Sequence, residues 1–209
     1  MSYIIVGLGN PGEEYLNTRH NTGRMALEAF RKKMDFSDWQ EDKKLKAEVS
    51  EGKTAKEKTT LICPDTFMNK SGEAVKKIKD LKLKIIGKGK DKRSELANLV
   101  VIHDDLDIPF GKFKISFNKS SGGHKGVESI MKAVKTEGFI RIRVGISPVN
   151  AKGVVKKPLG EEAVGDFILG KFKPVELEAF NKMGKVIAEA IEMIVSEGRE
   201  RAMGIFNQV

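Results

Sequence analysis

One cysteine in 209 residues leaves Cys63 without a partner in the chain, so no disulfide staples this protein. The tract around it, Thr60-Leu61-Ile62-Cys63, is apolar, which suits a buried strand residue better than a nucleophile and agrees with a reducing compartment. No apolar run approaches the length that spans a bilayer, and no charged-then-apolar leader opens the chain. A soluble cytoplasmic protein is therefore expected. Internal repeats and low-complexity tails are also lacking, and acid is in short supply: 29 Asp and Glu against 38 Lys and Arg leave a formal charge of +9. That excess favours an anionic partner, nucleic acid first. Histidine is scarce too, with three in the chain, which makes the position of each one informative.

The length fits one compact domain over residues 1–209 with a core large enough to need neither disulfide nor metal. Strand-like tracts occur at Tyr3–Val6, Lys46–Glu51, Thr59–Cys63, Leu99–His103, Lys112–Phe117 and Arg141–Ile146. Helical spacing predicts helices over Gly23–Phe36, Gly72 to about Lys84, Val127–Lys135, Pro174–Val195 and Arg199–Phe206. The alternation implies an α/β fold: a mixed, largely parallel twisted sheet with helices on both faces, and a hairpin near residues 46–63. In the helix from Pro174, Leu177, Phe180, Met183, Ile187, Ile191 and Ile194 recur at threes and fours and form its core stripe. Two polar stretches read as inserts: the basic, glycine-broken Ile86–Arg93, and Ser147 through Glu162.

Four loops carry chemistry. The first runs from Gly7 to Gly23 and holds Asn10, Asn17, His20 and Asn21 between a strand and a helix. Gly7, Gly9 and Gly12 spell a dinucleotide fingerprint, but Pro11 removes a backbone donor and the helical pattern starts only near Gly23, so no helix end faces a pyrophosphate. The second loop follows Leu99–His103 with Asp104, Asp105 and Asp107, which places carboxylates at the carboxyl end of a central strand, where open α/β sheets bind ligands. A carboxylate facing an imidazole fixes its tautomer, so Asp104 with His20 is the leading acid–base pair. Magnesium ligation by the three aspartates and a simple turn cap are the alternatives. In the third loop, Pro64–Gly72, Asn69 can present an amide to the same crevice or cap the following helix. The fourth, Ser120–Gly126, sets paired glycines, His124 and Lys125 before a helix, an arrangement suited to an anion held by free backbone N–H groups. Lys112, Lys114, Arg141 and Arg143 extend the basic surface beside it.

Taken together, G-L-G-N-P-G-x-x-Y-x-x-T-R-H-N-x-G at Gly7–Gly23, P-x-T-F-M-N-x-S-G at Pro64–Gly72, H-D-D-L-D-x-P-x-G at His103–Gly111, S-G-G-H-x-G at Ser121–Gly126, R-x-R-x-G-I at Arg141–Ile146 and R-A-M-x-x-F-N at Arg201–Asn207 resemble bacterial-type peptidyl-tRNA hydrolase over nearly the whole chain. The resemblance implies hydrolysis of the ester joining a peptide to the terminal ribose of tRNA, which recycles tRNA from aborted translation. It implies His20 as the base that activates water, Asp104 as its orienting partner, and Asn10 and Asn69 as the amides that place peptide and water. Tyr15 and Phe67 would meet the tRNA end or substrate, and Gly122, His124 and Lys125 the acceptor end. It further implies no cofactor or metal, no membrane, and a monomer whose partner is peptidyl-tRNA. In the family pattern the residue after His124 is usually asparagine; here Lys125 donates but cannot accept. A metal-dependent phosphoesterase using Asp104, Asp105 and Asp107, and a tRNA-binding module without turnover, are the rival functions.

Overall fold

The computed structural model describes residues 2–87 and 93–208. Its eight strands are β1 (Tyr3–Gly7), β2 (Gln40–Asp42), β3 (Ala47–Thr54), β4 (Glu57–Pro64), β5 (Leu83–Ile86), β6 (Arg93–Pro109), β7 (Phe113–Phe117) and β8 (Gly138–Ser147). They form one sheet in the order β2-β3-β4-β1-β6-β8-β7, with β5 added beside β6. β1 lies parallel to β4 and β6, and β6 parallel to β8, while the hairpin partners are antiparallel, so the sheet is mixed as expected.

Period-two alternation divides the strands between two cores. Ile5, Leu61, Val100, Ile102, Ile140 and Ile142 face α1 (Thr22–Lys33), α5 (Pro174–Glu197) and α6 (Arg199–Phe206). Ile4, Val6, Ile62, Leu99, Val101 and Phe139 face α2 (Ser71–Val75) and α3 (Lys125–Val134). In α5 the stripe Phe180, Met183, Ile187, Ile191 and Ile194 is buried, with Leu177 packed against it. Cys63 is buried in β4, and that burial pushes its thiol up to about 12.

Five elements depart from the sequence reading. The helix expected from Gly72 to about Lys84 stops at Val75, because the buried Asn98 captures the chain: its Oδ1 accepts from the Lys82 N–H at 3.1 Å and its Nδ2 donates to the Asp80 carbonyl at 2.9 Å. Those are backbone groups a longer helix would have used, and the freed segment returns as β5, which had no signal of its own. The insert that ends at Glu162 runs into a further helix, α4 (Glu161–Leu169), whose nine residues and internal Gly165 give too short a periodic window to read. β6 runs far beyond Leu99–His103, and β2 is three polar residues with no apolar pattern. Of the basic insert Ile86–Arg93, residues 88–92 lie outside the described residues.

The parallel strands β1, β4, β6 and β8 end at one edge of the sheet; the first and third loops leave from that edge, Asp104, Asp105 and Asp107 lie in the last part of β6, and Ser120–Gly126 follows β7, which runs antiparallel to β8. Gly23 lets α1 start hard against this edge: a Cβ there would stand 2.6 Å from the Leu8 carbonyl oxygen and closer still to that of Ile102. Gly23→Ala is therefore expected to cost about 3 kcal/mol through overpacking, or roughly 6–12 °C in Tm for a chain of this size, in a thermal melt. A melt matching the parent would contradict the close approach.

Candidate active site

β6 delivers Asp104 to the carboxyl edge of the sheet as a buried side chain. Two imidazoles meet its carboxylate. His20 Nδ1 lies 3.0 and 3.1 Å from the two oxygens, and His124 Nε2 lies 2.9 Å from Oδ1. A carboxylate only accepts, so both nitrogens carry hydrogen and donate. His124 is fixed independently, since its Nδ1 accepts from the backbone N–H groups of Gly126 and Val127 at 3.2 and 3.3 Å and so caps α3. His20 is thereby held as the Nδ1–H tautomer. Its Nε2 has no protein partner among the described residues and is left as an open lone pair.

His103 occupies the position before Asp104 and points the other way. Its Nδ1–H donates to the Asp104 carbonyl at 2.7 Å, and its Nε2 is buried with no hydrogen-bond partner among the described residues. Burial first, and then the neighbouring His124 ring, hold it well below the ordinary histidine range, so it stays neutral and packs 4.7 Å from His124.

The amides converge from two further loops. The Asn10 Oδ1 accepts from the Met68 N–H at 2.8 Å, which ties the first loop to the third and leaves the Asn10 NH₂ free to donate. Asn21 clamps the Asn10 backbone from both sides: its Oδ1 accepts from the Asn10 N–H at 2.8 Å and its Nδ2 donates to the Asn10 carbonyl at 2.9 Å. The sequence reading gave Asn21 no role, and its nearness to His20 in a loop rich in amides was the available signal. Asn10, His20, Phe67, Asn69 and Lys125 line an opening of about 460 Å³. His20 and Lys125 also border an adjoining cavity of about 410 Å³ with Asp104, Gly122 and His124, roofed by Val164, Gly165 and Ile168 of α4. Tyr15 packs edge-on against Phe67 at 6.4 Å, one step back from the opening.

Other expected residues are placed differently. Arg141 does not extend the basic surface: it is 1% exposed, and its Nη atoms donate to the Ser120 and Lys119 carbonyls at 2.8 and 2.6 Å. Alternation located it on the right face of β8, but the 118–124 loop closes over it. Burial, then the charge of Arg143, lowers its pKa to about 10. Arg143 is engaged by Asp105 at 2.7 Å, and Lys157 by Asp107 at 2.6 Å. Asp104, Asp105 and Asp107 consequently face three different sets of partners, which does not suit a shared metal. Among the described residues the grouping able to ligate an ion is His20, Asp104 and His124, and mutual hydrogen bonding already accounts for its geometry. Lys112 and Lys114 are exposed beside and on the edge strand β7, outside both openings. The amides expected to hold an anion at the start of α3 are partly committed, with Gly126 and Val127 bound to His124 and Gly123 to the Ser121 hydroxyl at 3.1 Å. Lys125, at the same helix start, reaches Glu161 of α4 at 3.0 Å.

Burial alone would lower the His20 pKa, but the charge of Asp104 and its hydrogen bond outweigh burial and leave it above the ordinary 6.5. Burial would likewise raise Asp104, yet the two imidazoles hold its carboxyl well below the ordinary 3.8. His20 is thus a cation below a pH somewhat above 6.5 and a free base above it. Titration of its ring protons by NMR should give a midpoint above 6.5 that drops in Asp104→Asn, where burial acts unopposed. A midpoint unmoved by that substitution would show that Asp104 does not set the base.

Comparisons with known proteins meet this geometry. The peptidyl-tRNA hydrolase family profile matches residues 4–209. A peptidyl-tRNA hydrolase of Thermodesulfovibrio yellowstonii is 36% identical over 214 residues, covering 99% of both chains, and one of Carboxydothermus hydrogenoformans is 37% identical over 210 residues, covering 99% of this chain and 98% of the other. The crystal structure of peptidyl-tRNA hydrolase from Acinetobacter baumannii superposes with a TM-score of 0.81 at 26% identity, over 98% of this chain and 94% of that one. With a near full-length profile match and relatives above a third identical, this chain belongs to the peptidyl-tRNA hydrolase family.

Proposed function

We infer that His20 is the general base of a peptidyl-tRNA hydrolase, in which Asp104 orients the imidazole and Asn10 and Asn69 position the substrate and the attacking water. The observation that carries this reading is the Asp104 carboxylate on His20 Nδ1 at 3.0 Å, with the opposite ring nitrogen open at the mouth of the cleft. Water, polarised by Nε2, attacks the ester carbonyl; the new C–O bond forms as its proton passes to the imidazole. The bond to the ribose oxygen then breaks, and the imidazolium returns the proton to that oxygen as the alkoxide leaves. Because the Asn10 acceptor is spent on Met68, its NH₂ suits the carbonyl oxygen that gathers negative charge. Asn69, exposed at the opening, keeps both a donor and an acceptor and suits the water. Ester cleavage by one base with positioned donors requires no covalent nucleophile.

The substrate assignment extends outward from these atoms. Phe67 and Tyr15 offer stacking surface for the terminal base. Gly122, His124 and Lys125 border the acceptor end, with Lys112, Lys114 and Arg143 further along the stem and Arg141 acting from within by holding the 118–124 loop. All catalytic groups come from one protomer of one domain, so a monomer suffices, and a translation substrate places its work in the cytoplasm.

His20→Ala should lower the rate of peptide release from an N-blocked aminoacyl-tRNA by about 10²–10⁴-fold while tRNA binding persists, with chelator leaving the parent rate unchanged. Equal rates for parent and variant would remove His20 from the chemistry, and loss of activity on chelation would point to the metal reading. Lys125→Asn should flatten the salt dependence of tRNA binding by about one in log–log slope if Lys125 leaves Glu161 for a phosphate; an unchanged slope would speak against that contact.

A further inference from the structure

The segment between α2 and β5 holds the densest run of positive charge among the described residues. Lys76, Lys77, Lys79, Lys82 and Lys84 fall within nine positions that contain one acid, Asp80. All five are exposed. Lys77 donates to the Lys44 carbonyl at 2.9 Å, whereas Lys76, Lys79, Lys82 and Lys84 form no salt bridge among the described residues, although the charge of Lys76 helps lower Glu73 and Lys84 stands across from Glu95 in the β5–β6 ladder. At the cleft the situation is reversed, with Arg143, Lys157 and Lys125 each matched by a carboxylate.

The position of this run is as distinctive as its charge. β5 pairs with the first residues of β6, Leu83 with Leu96 and Ile86 with Arg93, whereas Asp104 lies in the last third of the same strand, toward the opposite pole. The about eight residues from Leu96 to Asp104 span roughly 26 Å at ~3.3 Å each, far beyond the reach of one side chain. A ligand that touches both poles must be a long polymer. Lys82, the residue before β5, and Lys84 within it are two positions apart, about 6.6 Å along an extended chain, comparable to the spacing of successive phosphates along a nucleic-acid strand. Leu83 and Ile85, on the opposite face of β5 from Lys84, are 55% and 60% exposed, so no described residue covers that face. Protection of a bare sheet edge would account for Lys84 alone, since Lys76, Lys79 and Lys82 precede the strand.

We propose that Lys76, Lys79, Lys82 and Lys84 form a second RNA contact, remote from the cleft, that holds the sugar–phosphate backbone of the tRNA body while its acceptor end occupies the catalytic opening. This rests on peptidyl-tRNA being the substrate. The contact carries no base recognition: it contributes affinity, and its strength falls with salt.

The test uses the full chain with all four lysines replaced by Gln, its melt matched to the parent, and two substrates: full-length peptidyl-tRNA and the same peptidyl ester on a CCA trinucleotide. On full-length substrate KM should rise about tenfold with kcat unchanged, and the slope of log(kcat/KM) against log salt should become shallower by about two to three. On the trinucleotide ester the variant should match the parent within twofold, and replacing the four lysines by Arg should restore the full-length KM. A full-length KM within twofold of the parent would overturn the proposal, even if binding to anionic vesicles or to unrelated duplex RNA were lost. An equal loss on both substrates would also overturn it, by tracing the effect to a disturbed cleft. If the parent cleaved neither ester, the functional reading itself would fail, and binding of deacylated tRNA by parent and variant would still decide whether these lysines hold it.

Discussion

A single buried carboxylate organises the site. Asp104 lies in the last third of β6, out of water, where an uncompensated charge would be strongly destabilising; two imidazole N–H donors at 2.9 and 3.0 Å supply the compensation. Because one of those donors, His124, also caps α3 through its other nitrogen, the carboxylate links the central strand to a helix start, and through His20 to the loop that follows β1. Three elements distant in sequence are thereby fixed with respect to one atom pair. The chemical consequence falls on His20, whose proton is held on the inner nitrogen so that the outer one faces the cleft as a base.

The amides are organised on the same plan. Asn21 binds both backbone polar groups of Asn10, and Asn10 in turn binds the Met68 N–H, so the first and third loops are joined by hydrogen bonds rather than by apolar packing. Each of these bonds uses one function of an amide and leaves a specific remainder. At Asn10 the remainder is a donor, at Asn69 it is both donor and acceptor, and the roles proposed for the two amides rest on that difference. Positive charge near the cleft is similarly committed: Arg141 holds the 118–124 loop from below, and Arg143 and Lys157 hold aspartates.

What could be read from the sequence reflects which signals are local. The strand before Asp104 and the loop holding His20 were legible because an apolar β-branched run and a cluster of Gly, Asn and His are each decided within a few residues, and the α/β rule about the carboxyl edge then brings them together. The helix at Pro174–Glu197 was legible because six turns of periodic burial leave little ambiguity. The end of α2 was not, since the residue that terminates it, Asn98, lies more than twenty positions away and acts by taking backbone bonds. Arg141 was misjudged for a related reason: alternation identifies a face of the sheet but not the loop that covers it. α4, which roofs the inner cavity, was lost among polar residues because nine residues with a central glycine show too little period. His124 was placed at the acceptor end by resemblance, while its second function, gripping Asp104, appears only when the loop is folded.

The central claim concerns where two protons reside, and nitrogen-15 NMR of the histidine side chains measures it directly. Above the titration of His20, the account predicts a protonated Nδ1 and bare Nε2 for His20, and the opposite tautomer, bare Nδ1 and protonated Nε2, for His124. A His20 ring carrying its proton on Nε2 would contradict it, because the nitrogen facing the cleft would then have no lone pair with which to activate water.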